Sequence, residues 1–180
     1  MYYINFLDSA TANWINVIRD NGLIQFFTWV TLLGKTEIVF STAIIMTAIL
    51  WLRNKRAYLI PFWVTLGGAA VMDFLGKIVF HRARPPMAVY LEDSFSFPSG
   101  HATLAVALYG FLAYVLIREL KSRGSKVSVF FASLIVILLI GLSRIYLGVH
   151  YLSDVWGGYL LGFLWLLAGI ALIEHPSKKD

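Results

Sequence analysis

The chain has 180 residues, of which 59% are hydrophobic and 14% are charged, and its mean hydropathy is +0.74. Soluble domains are about half apolar and about a quarter charged, so the composition indicates a single integral membrane domain covering residues 1–180. The absence of cysteine excludes disulfides, thiolate nucleophiles and cysteine metal sites. Much of the net charge of +5 lies in short loops between apolar segments, where membrane topology accounts for it without a nucleic-acid partner.

The N-terminal segment, residues 1–34, is less apolar than the rest of the chain. Its apolar run from Leu23 to Leu33 is too short to cross a bilayer alone. The segment is therefore either an amphipathic helix lying in the membrane interface or a sixth, weakly hydrophobic span. Its polar residues include Asp8, Arg19, Asp20 and Asn21.

Five strongly apolar segments follow, and each approaches the length of about 20 residues that a helix needs to cross a bilayer. Helices are favoured over open strands because they satisfy all backbone hydrogen bonds inside the hydrocarbon region. We therefore predict an all-α, polytopic membrane bundle with five or six transmembrane helices. The apolar segments lie near residues 36–52, 58–79, 100–117, 127–147 and 154–173.

Basic residues in three connecting or terminal segments predict the orientation in the membrane. Under five-span alternation all three clusters fall on one side, which the positive-inside rule makes cytoplasmic. The opposite side, which faces the periplasm or exterior, then contains residues 77–98 and 143–154. We expect the membrane to be a bacterial cytoplasmic membrane, with the site at its outer membrane–water interface. The clusters are Arg53, Lys55 and Arg56; Arg118, Lys121, Arg123 and Lys126; and Lys178 and Lys179.

The first candidate site cluster begins at the end of the second apolar segment, with Lys77 and Arg84. A lysine offers a point charge and an arginine a bidentate fork, and both suit a phosphate group. Asp73 lies one helical turn before Lys77, so we expect an ion pair that keeps Lys77 charged at the membrane edge. Ordinary snorkelling of Lys77 towards water is the alternative.

The loop 81–97 is the longest connection between the apolar segments. We expect His81 and Arg82 to line the entrance of a site without a direct part in it. Glu92 and Asp93 are expected to be solvated, where they could shape substrate access.

The second cluster is the sequence Pro98-Ser99-Gly100-His101. Ser99 is a favoured residue for a helix N-cap, and a helix N-terminus presents free N–H groups and the positive end of the helix dipole to an anion. Gly100 lets the backbone approach a phosphate oxygen closely. His101 would then lie in the first helical turn beside the anion, unless the motif is only a cap with an incidental histidine.

The third cluster contains Ser143, Arg144, His150 and Asp154. If residues 150–154 are helical, His150 and Asp154 share one face, and the carboxylate can accept a ring N–H and leave the other nitrogen free as a base or nucleophile. Gly148 would ease a turn that folds Arg144 back towards His150. The alternatives are a structural His–Asp hydrogen bond and a snorkelling Arg144.

The three motifs, with their internal spacings, resemble those of the type 2 phosphatidic acid phosphatase (PAP2) superfamily of membrane lipid phosphatases. The resemblance implies that His150 attacks phosphorus to form a phosphohistidine, that Asp154 orients it, and that His101 protonates the leaving group and then activates water. It implies no metal and no cofactor. The residues expected to bind the phosphoryl oxygens are Lys77, Arg84, Ser99, Gly100 and Arg144.

The expected function is metal-independent dephosphorylation of a membrane lipid phosphate or pyrophosphate. Candidate substrates are phosphatidylglycerol phosphate, undecaprenyl pyrophosphate, phosphatidic acid and lipid A phosphate. Transfer of the phosphate to an acceptor other than water stays open as an alternative. An anion transporter would explain Arg84 and Arg144 but not the His150–Asp154 pair, and a vanadate haloperoxidase is disfavoured because such enzymes are expected to be soluble.

Overall fold

The structure is a computed structural model that describes residues 2–175, and within this range every regular element is helical. A 3₁₀ turn at Arg56–Tyr58 precedes α4, and a π-helical stretch at Val106–Gly110 joins α5 to α6. The α-helices are α1 (Tyr2–Ile18), α2 (Asn21–Leu32), α3 (Thr36–Leu52), α4 (Leu59–Phe80), α5 (Gly100–Ala105), α6 (Phe111–Glu119), α7 (Arg123–Tyr146) and α8 (Leu152–Glu174).

Five helical segments among the described residues are long and apolar enough to cross a membrane, which confirms the predicted all-α polytopic bundle. The second to fifth lie where the hydropathy pattern predicts them. The segments are Asn21–Leu52, Arg56–Phe80, Gly100–Glu119, Arg123–Tyr146 and Leu152–Glu174.

The sequence predicts that residues 1–34 form one unit. In the structure, a break at residues 19–20 divides this segment into α1 and α2. The Asp20 carboxylate caps α2 by accepting the amides of Gly22 at 2.8 Å and Leu23 at 3.2 Å. Only a short turn separates α2 from α3, so the apolar run that begins at Leu23 belongs to the first span. The predicted start of that span near residue 36 is therefore too late, and α1 lies outside the five spans.

The largest hydrophobic core packs α3, α4 and the span formed by α5 and α6. Close contact between α5 and α8 depends on two glycines of α8. A Cβ atom on Gly158 would lie 2.6 Å from the Ser99 carbonyl oxygen, and one on Gly162 would lie 2.5 Å from the Thr103 carbonyl oxygen. Small residues allow such close backbone approach between membrane helices. Core residues include Val39, Ala43, Met46, Leu50, Phe62, Leu66, Ala69, Leu104, Leu108, Phe111 and Val115.

Ion pairs join the basic connections at one end of the bundle. Lys55, between α3 and α4, lies 2.8 Å from Glu119 at the end of α6, and Arg118 pairs with Glu174 at the end of α8. The C-terminal ends of α4 and α7 and the N-terminal ends of α5 and α8 therefore lie together at the opposite end. Lys178 and Lys179, the third basic cluster, are outside the described residues.

Candidate active site

A tight turn between α7 and α8 brings Arg144 and His150 together. The amides of Val149 and His150 donate to the Arg144 carbonyl oxygen at 3.2 and 3.3 Å. Gly148 has a φ of +68°, and a Cβ atom there would lie 2.7 Å from the Met87 carbonyl oxygen. Glycine adopts this left-handed conformation without strain and leaves room for the Met87 carbonyl. The structure therefore confirms the predicted turn at Gly148.

His150 is buried, with 3% of its surface exposed. Its Nδ1 lies 2.7 Å from the carbonyl oxygen of Ser96 and 3.5 Å from Oδ2 of Asp154. Because a carbonyl oxygen only accepts hydrogen bonds, Nδ1 carries the proton and Nε2 keeps its lone pair. The helical geometry assumed for residues 150–154 does not hold, because His150 precedes α8, which begins at Leu152. The acceptor nearest to Nδ1 is therefore the Ser96 carbonyl oxygen of the 81–97 loop, and the Asp154 carboxylate lies farther away.

Asp154 is fully buried in the first turn of α8. Its Oδ2 accepts the Tyr151 amide at 2.8 Å, and its Oδ1 accepts from Nη1 of Arg82 at 2.5 Å. The other guanidinium nitrogen of Arg82, Nη2, donates to Asp8 at 2.6 Å. The expectation that Arg82 only lines the entrance is therefore wrong, because its guanidinium neutralises and positions the carboxylate beside His150.

Asp8 is a second contributor that the sequence analysis missed. It is 2% exposed, and its carboxylate accepts the Ser153 amide at 2.9 Å and the Ser153 hydroxyl at 2.6 Å. These bonds attach α1 to the N-terminal end of α8. The available signal was that Asp8 is the only charged residue in the first 18 positions, and a lone charge near apolar surroundings usually has a partner.

Arg144 is fully buried, and its guanidinium contacts three other parts of the chain. Nη1 donates to the hydroxyl of Thr31 in α2 at 2.8 Å and to the hydroxyl of Tyr90 at 2.7 Å. The same nitrogen lies 3.4 Å from Nε2 of His101. Nη2 donates to Glu92. Arg144 therefore points into the site beside His101 rather than snorkelling to water.

Arg84 lies in the 81–97 loop, and its guanidinium contacts the residues around His150. Its Nη1 donates to the Val149 carbonyl oxygen at 2.8 Å and lies 3.2 Å from Nε2 of His150. Its Nη2 lies 2.8 Å from Oε2 of Glu92, whose Oε1 pairs with Arg144. The prediction that Glu92 is a solvated loop residue is therefore wrong, because its carboxylate bridges the two arginines.

Lys77 lies in the last turn of α4, and its side chain extends to the N-terminal end of α5. Its Nζ is 3.0 and 2.9 Å from the two carboxylate oxygens of Asp73, which confirms the predicted pair, and it also donates to the Pro98 carbonyl oxygen at 2.7 Å. A Cβ atom on Gly100 would lie 3.0 Å from Oδ2 of Asp73. The buried hydroxyl of Ser99 has no hydrogen-bond partner within residues 2–175, so this group is available to a ligand.

The surroundings of His150 and Glu92 favour a neutral ring and an ionised carboxylate. Burial lowers the pKa of His150 to about 4; the neighbouring Asp154 opposes this effect, and the positive charges of Arg144 and Arg84 add to it. Burial alone would raise the pKa of Glu92, but Arg144 and then Arg84 outweigh it and hold the pKa below its ordinary value. Nε2 of His150 is therefore unprotonated at neutral pH.

The structure joins four of the predicted site residues into one network at one end of the bundle. His101 contacts Arg144, Glu92 joins Arg144 to Arg84, and Arg84 contacts His150. Two guanidinium groups, both paired with Glu92, therefore lie between two imidazole rings. The fold and this site define a polytopic membrane protein with a cluster of arginines beside a buried, neutral histidine.

Comparisons with known proteins identify the family. A sequence model of the PAP2 superfamily matches residues 57–176. Phosphatidylglycerophosphatase B of Bacillus subtilis strain 168 is 32% identical over 159 residues, covering 87% of this chain and 78% of that protein. A probable lipid phosphate phosphatase beta of Arabidopsis thaliana is 30% identical over 146 residues, covering 68% of each chain. The chain belongs to the PAP2 superfamily.

Solved structures agree with this assignment. The crystal structure of a transmembrane PAP2-type phosphatidylglycerolphosphate phosphatase from Bacillus subtilis has a TM-score of 0.91 and 28% identity, covering 100% of this chain and 90% of that one. Aquifex aeolicus LpxE has a TM-score of 0.69 and 28% identity, covering 91% of this chain and 94% of that one. The chain is an integral membrane protein with the fold of these transmembrane enzymes.

Proposed function

We propose that this PAP2-superfamily phosphatase removes phosphate from a lipid phosphate or pyrophosphate through a phosphohistidine on His150. The observation that carries the proposal is the position of His150 Nε2, which is unprotonated, buried and 3.2 Å from a guanidinium nitrogen of Arg84. A phosphoryl group bound by that guanidinium would lie next to the imidazole lone pair. Such proximity replaces a bimolecular encounter with an attack inside the complex.

In the first step, Nε2 of His150 attacks phosphorus and the bond from phosphorus to the lipid oxygen breaks. His101, in its protonated form, gives its proton to the departing alkoxide. The positive charge on the phosphorylated ring is balanced by Asp154, whose second oxygen is held by Arg82 at 2.5 Å. The Ser96 carbonyl keeps Nδ1 protonated, so Nε2 is the nitrogen that reacts.

In the second step, water replaces the histidine at phosphorus. His101, now neutral, takes a proton from the water while its oxygen attacks, and the bond from phosphorus to Nε2 breaks. Inorganic phosphate leaves, and His150 returns to its neutral form. The imidazole of His101 thus serves as the acid in the first step and as the base in the second.

Fixed cations and backbone dipoles would stabilise the transition state. Charge grows on the phosphoryl oxygens during transfer, and one well-placed donor is worth roughly 3–4 kcal/mol. Because side chains supply these charges, the proposal includes no metal and no cofactor. The proposed donors are Lys77, Arg84, Arg144, the hydroxyl of Ser99 and the amide of Gly100.

Among lipid phosphates, we propose phosphatidylglycerol phosphate as the first substrate to test. The Bacillus subtilis relatives named for that activity are similar over most of their length. A groove of about 340 Å³ between α4 and α8, lined by apolar side chains, extends to Pro98 beside Lys77 and would accommodate an acyl chain. The site would face the exterior, because the Lys55 and Arg118 connections lie at the opposite end of the bundle and basic loops favour the cytoplasm.

The proposal is tested by phosphate release in detergent with a chelator present. The substrates are phosphatidylglycerol phosphate, phosphatidic acid, undecaprenyl pyrophosphate and lipid A phosphate. The wild type should hydrolyse at least one of them, with the highest kcat/KM for the first. His150→Ala should lose activity by about a thousandfold or more, whereas His175→Ala, far from the site, should keep it. Full activity of His150→Ala would refute the nucleophile, and no hydrolysis of any substrate would favour an anion transporter.

A further inference from the structure

Glu92 is the one carboxylate among the described residues that forms ion pairs with both site arginines. Its Oε2 lies 2.8 Å from Nη2 of Arg84, and its Oε1 pairs with Nη2 of Arg144. Carboxylate and phosphoryl oxygens use the same guanidinium donors with the same bidentate geometry. Glu92 therefore occupies donors that a bound phosphoryl group would need.

The position of the Glu92 carboxylate near the two histidines indicates that it competes with a phosphoryl group for the guanidinium donors. Arg84 Nη1 lies 3.2 Å from Nε2 of His150, and Arg144 Nη1 lies 3.4 Å from Nε2 of His101. A phosphoryl group in line with His150 would contact both guanidiniums. It would therefore meet the carboxylate of Glu92, and two neighbouring anions repel each other.

The loop that carries Glu92 allows this side chain to leave. Residues 81–99 form no regular helix, and Leu91 next to Glu92 is 94% exposed. Glu92 also borders an open cavity of about 400 Å³ formed by the loop. This cavity gives the carboxylate of Glu92 space outside the arginine pair.

We propose that Glu92 is an internal counter-ion of the anion site, which a phosphoryl dianion displaces on binding and which returns to the arginines as the product phosphate leaves. This inference rests on the proposed function. In the empty site, Glu92 offsets two buried positive charges and holds both guanidiniums in place. After hydrolysis, it competes with inorganic phosphate for them, which weakens retention of the product in a strongly cationic pocket.

Direct binding of inorganic phosphate tests this inference without any turnover. Isothermal titration calorimetry in detergent would compare the wild type with Glu92→Gln and Asp93→Asn. The second variant is a matched control because it removes the same charge from the next residue, which is exposed and makes no ion pair in the described part of the chain. We expect Glu92→Gln to bind phosphate about tenfold more tightly, and Asp93→Asn to bind as the wild type does.

Three further measurements separate competition from a purely structural role. Phosphate should raise the melting temperature of Glu92→Gln more than that of the wild type, and Glu92→Asp, which keeps the charge on a shorter side chain, should have intermediate phosphate affinity. In turnover, Glu92→Gln should show a lower KM and stronger product inhibition. Unchanged or weaker phosphate binding by Glu92→Gln would overturn the counter-ion role. Absence of lipid hydrolysis by the wild type would count against the proposed function alone.

Discussion

Burial beneath the 81–97 loop keeps the ring of His150 neutral at physiological pH. The pKa of this histidine is lowered from its ordinary value of 6.5 to about 4, because burial and the nearby arginines disfavour the charged ring more than Asp154 favours it. The neutral form is the one that can attack phosphorus. The low pKa that would prepare His150 for its proposed role also makes the folded protein sensitive to acid.

The pH dependence of stability tests the neutral state of His150. The unfolded chain binds a proton on this residue near pH 6.5, whereas the folded chain does so only near pH 4. Acidification between these values therefore favours unfolding, by about 1.4 kcal/mol for each pH unit. We expect the melting temperature of the wild type to fall more between pH 7 and pH 5 than that of His150→Gln. Parallel curves for the two proteins would contradict the lowered pKa.

At the residue scale, the motifs identified the groups in the site but not all their partners. Arg144, His150 and Asp154 lie together as their spacing predicts. The role of Arg82 was missed because its partners, Asp8 and Asp154, come from distant helices. Ser96 was missed because its backbone oxygen, rather than its side chain, is the acceptor, and the residue type carries no signal for such a contact.

At the element scale, the turn between α7 and α8 sets the distance between the guanidinium of Arg144 and the ring of His150. The turn packs against α1 and α2 through a small hydrophobic cluster, so the N-terminal helices support it. The sequence indicated the glycine at the turn but not this support, since the helices involved are weakly apolar. The cluster contains Ile15, Phe27, Tyr146, Leu147 and Val149.

Substitution of Gly148 tests the role of this turn. Gly148→Ala places a Cβ atom on a residue with φ of +68° and 2.7 Å from the Met87 carbonyl oxygen. The backbone strain alone costs about 1–3 kcal/mol, so we expect a lower melting temperature and a reduced kcat as Arg144 and His150 shift.

Gly67→Ala is the matched control for this substitution. A Cβ atom on Gly67, within α4, meets nothing within 4 Å. This change should be neutral or slightly stabilising, because alanine favours a helix by roughly 0.5–1 kcal/mol. Wild-type stability and activity in Gly148→Ala would show that the turn tolerates a side chain and does not constrain the site.

At the scale of the whole molecule, helix ends distant in sequence form one cationic site while the basic connections lie at the other end. The hydropathy pattern predicted four of the five spans closely, because hydrophobic length is a strong local signal. It misplaced the start of the first span, since Asp20 begins a helix that the polar residues of the segment obscured. It also missed the inward position of Glu92, since no local pattern distinguishes a loop carboxylate in solvent from one paired with two arginines.

Trapping of a phosphohistidine would show whether His150 is the nucleophile. His101→Gln would be mixed with p-nitrophenyl phosphate, whose leaving group needs no proton, quenched under alkaline conditions and digested for mass spectrometry. Without His101 as the base for water, phosphate should accumulate on His150, as acid-labile phosphorylation of that residue in a burst of p-nitrophenolate. Phosphate on another residue, or a burst of equal size in the double variant lacking His150, would contradict the account.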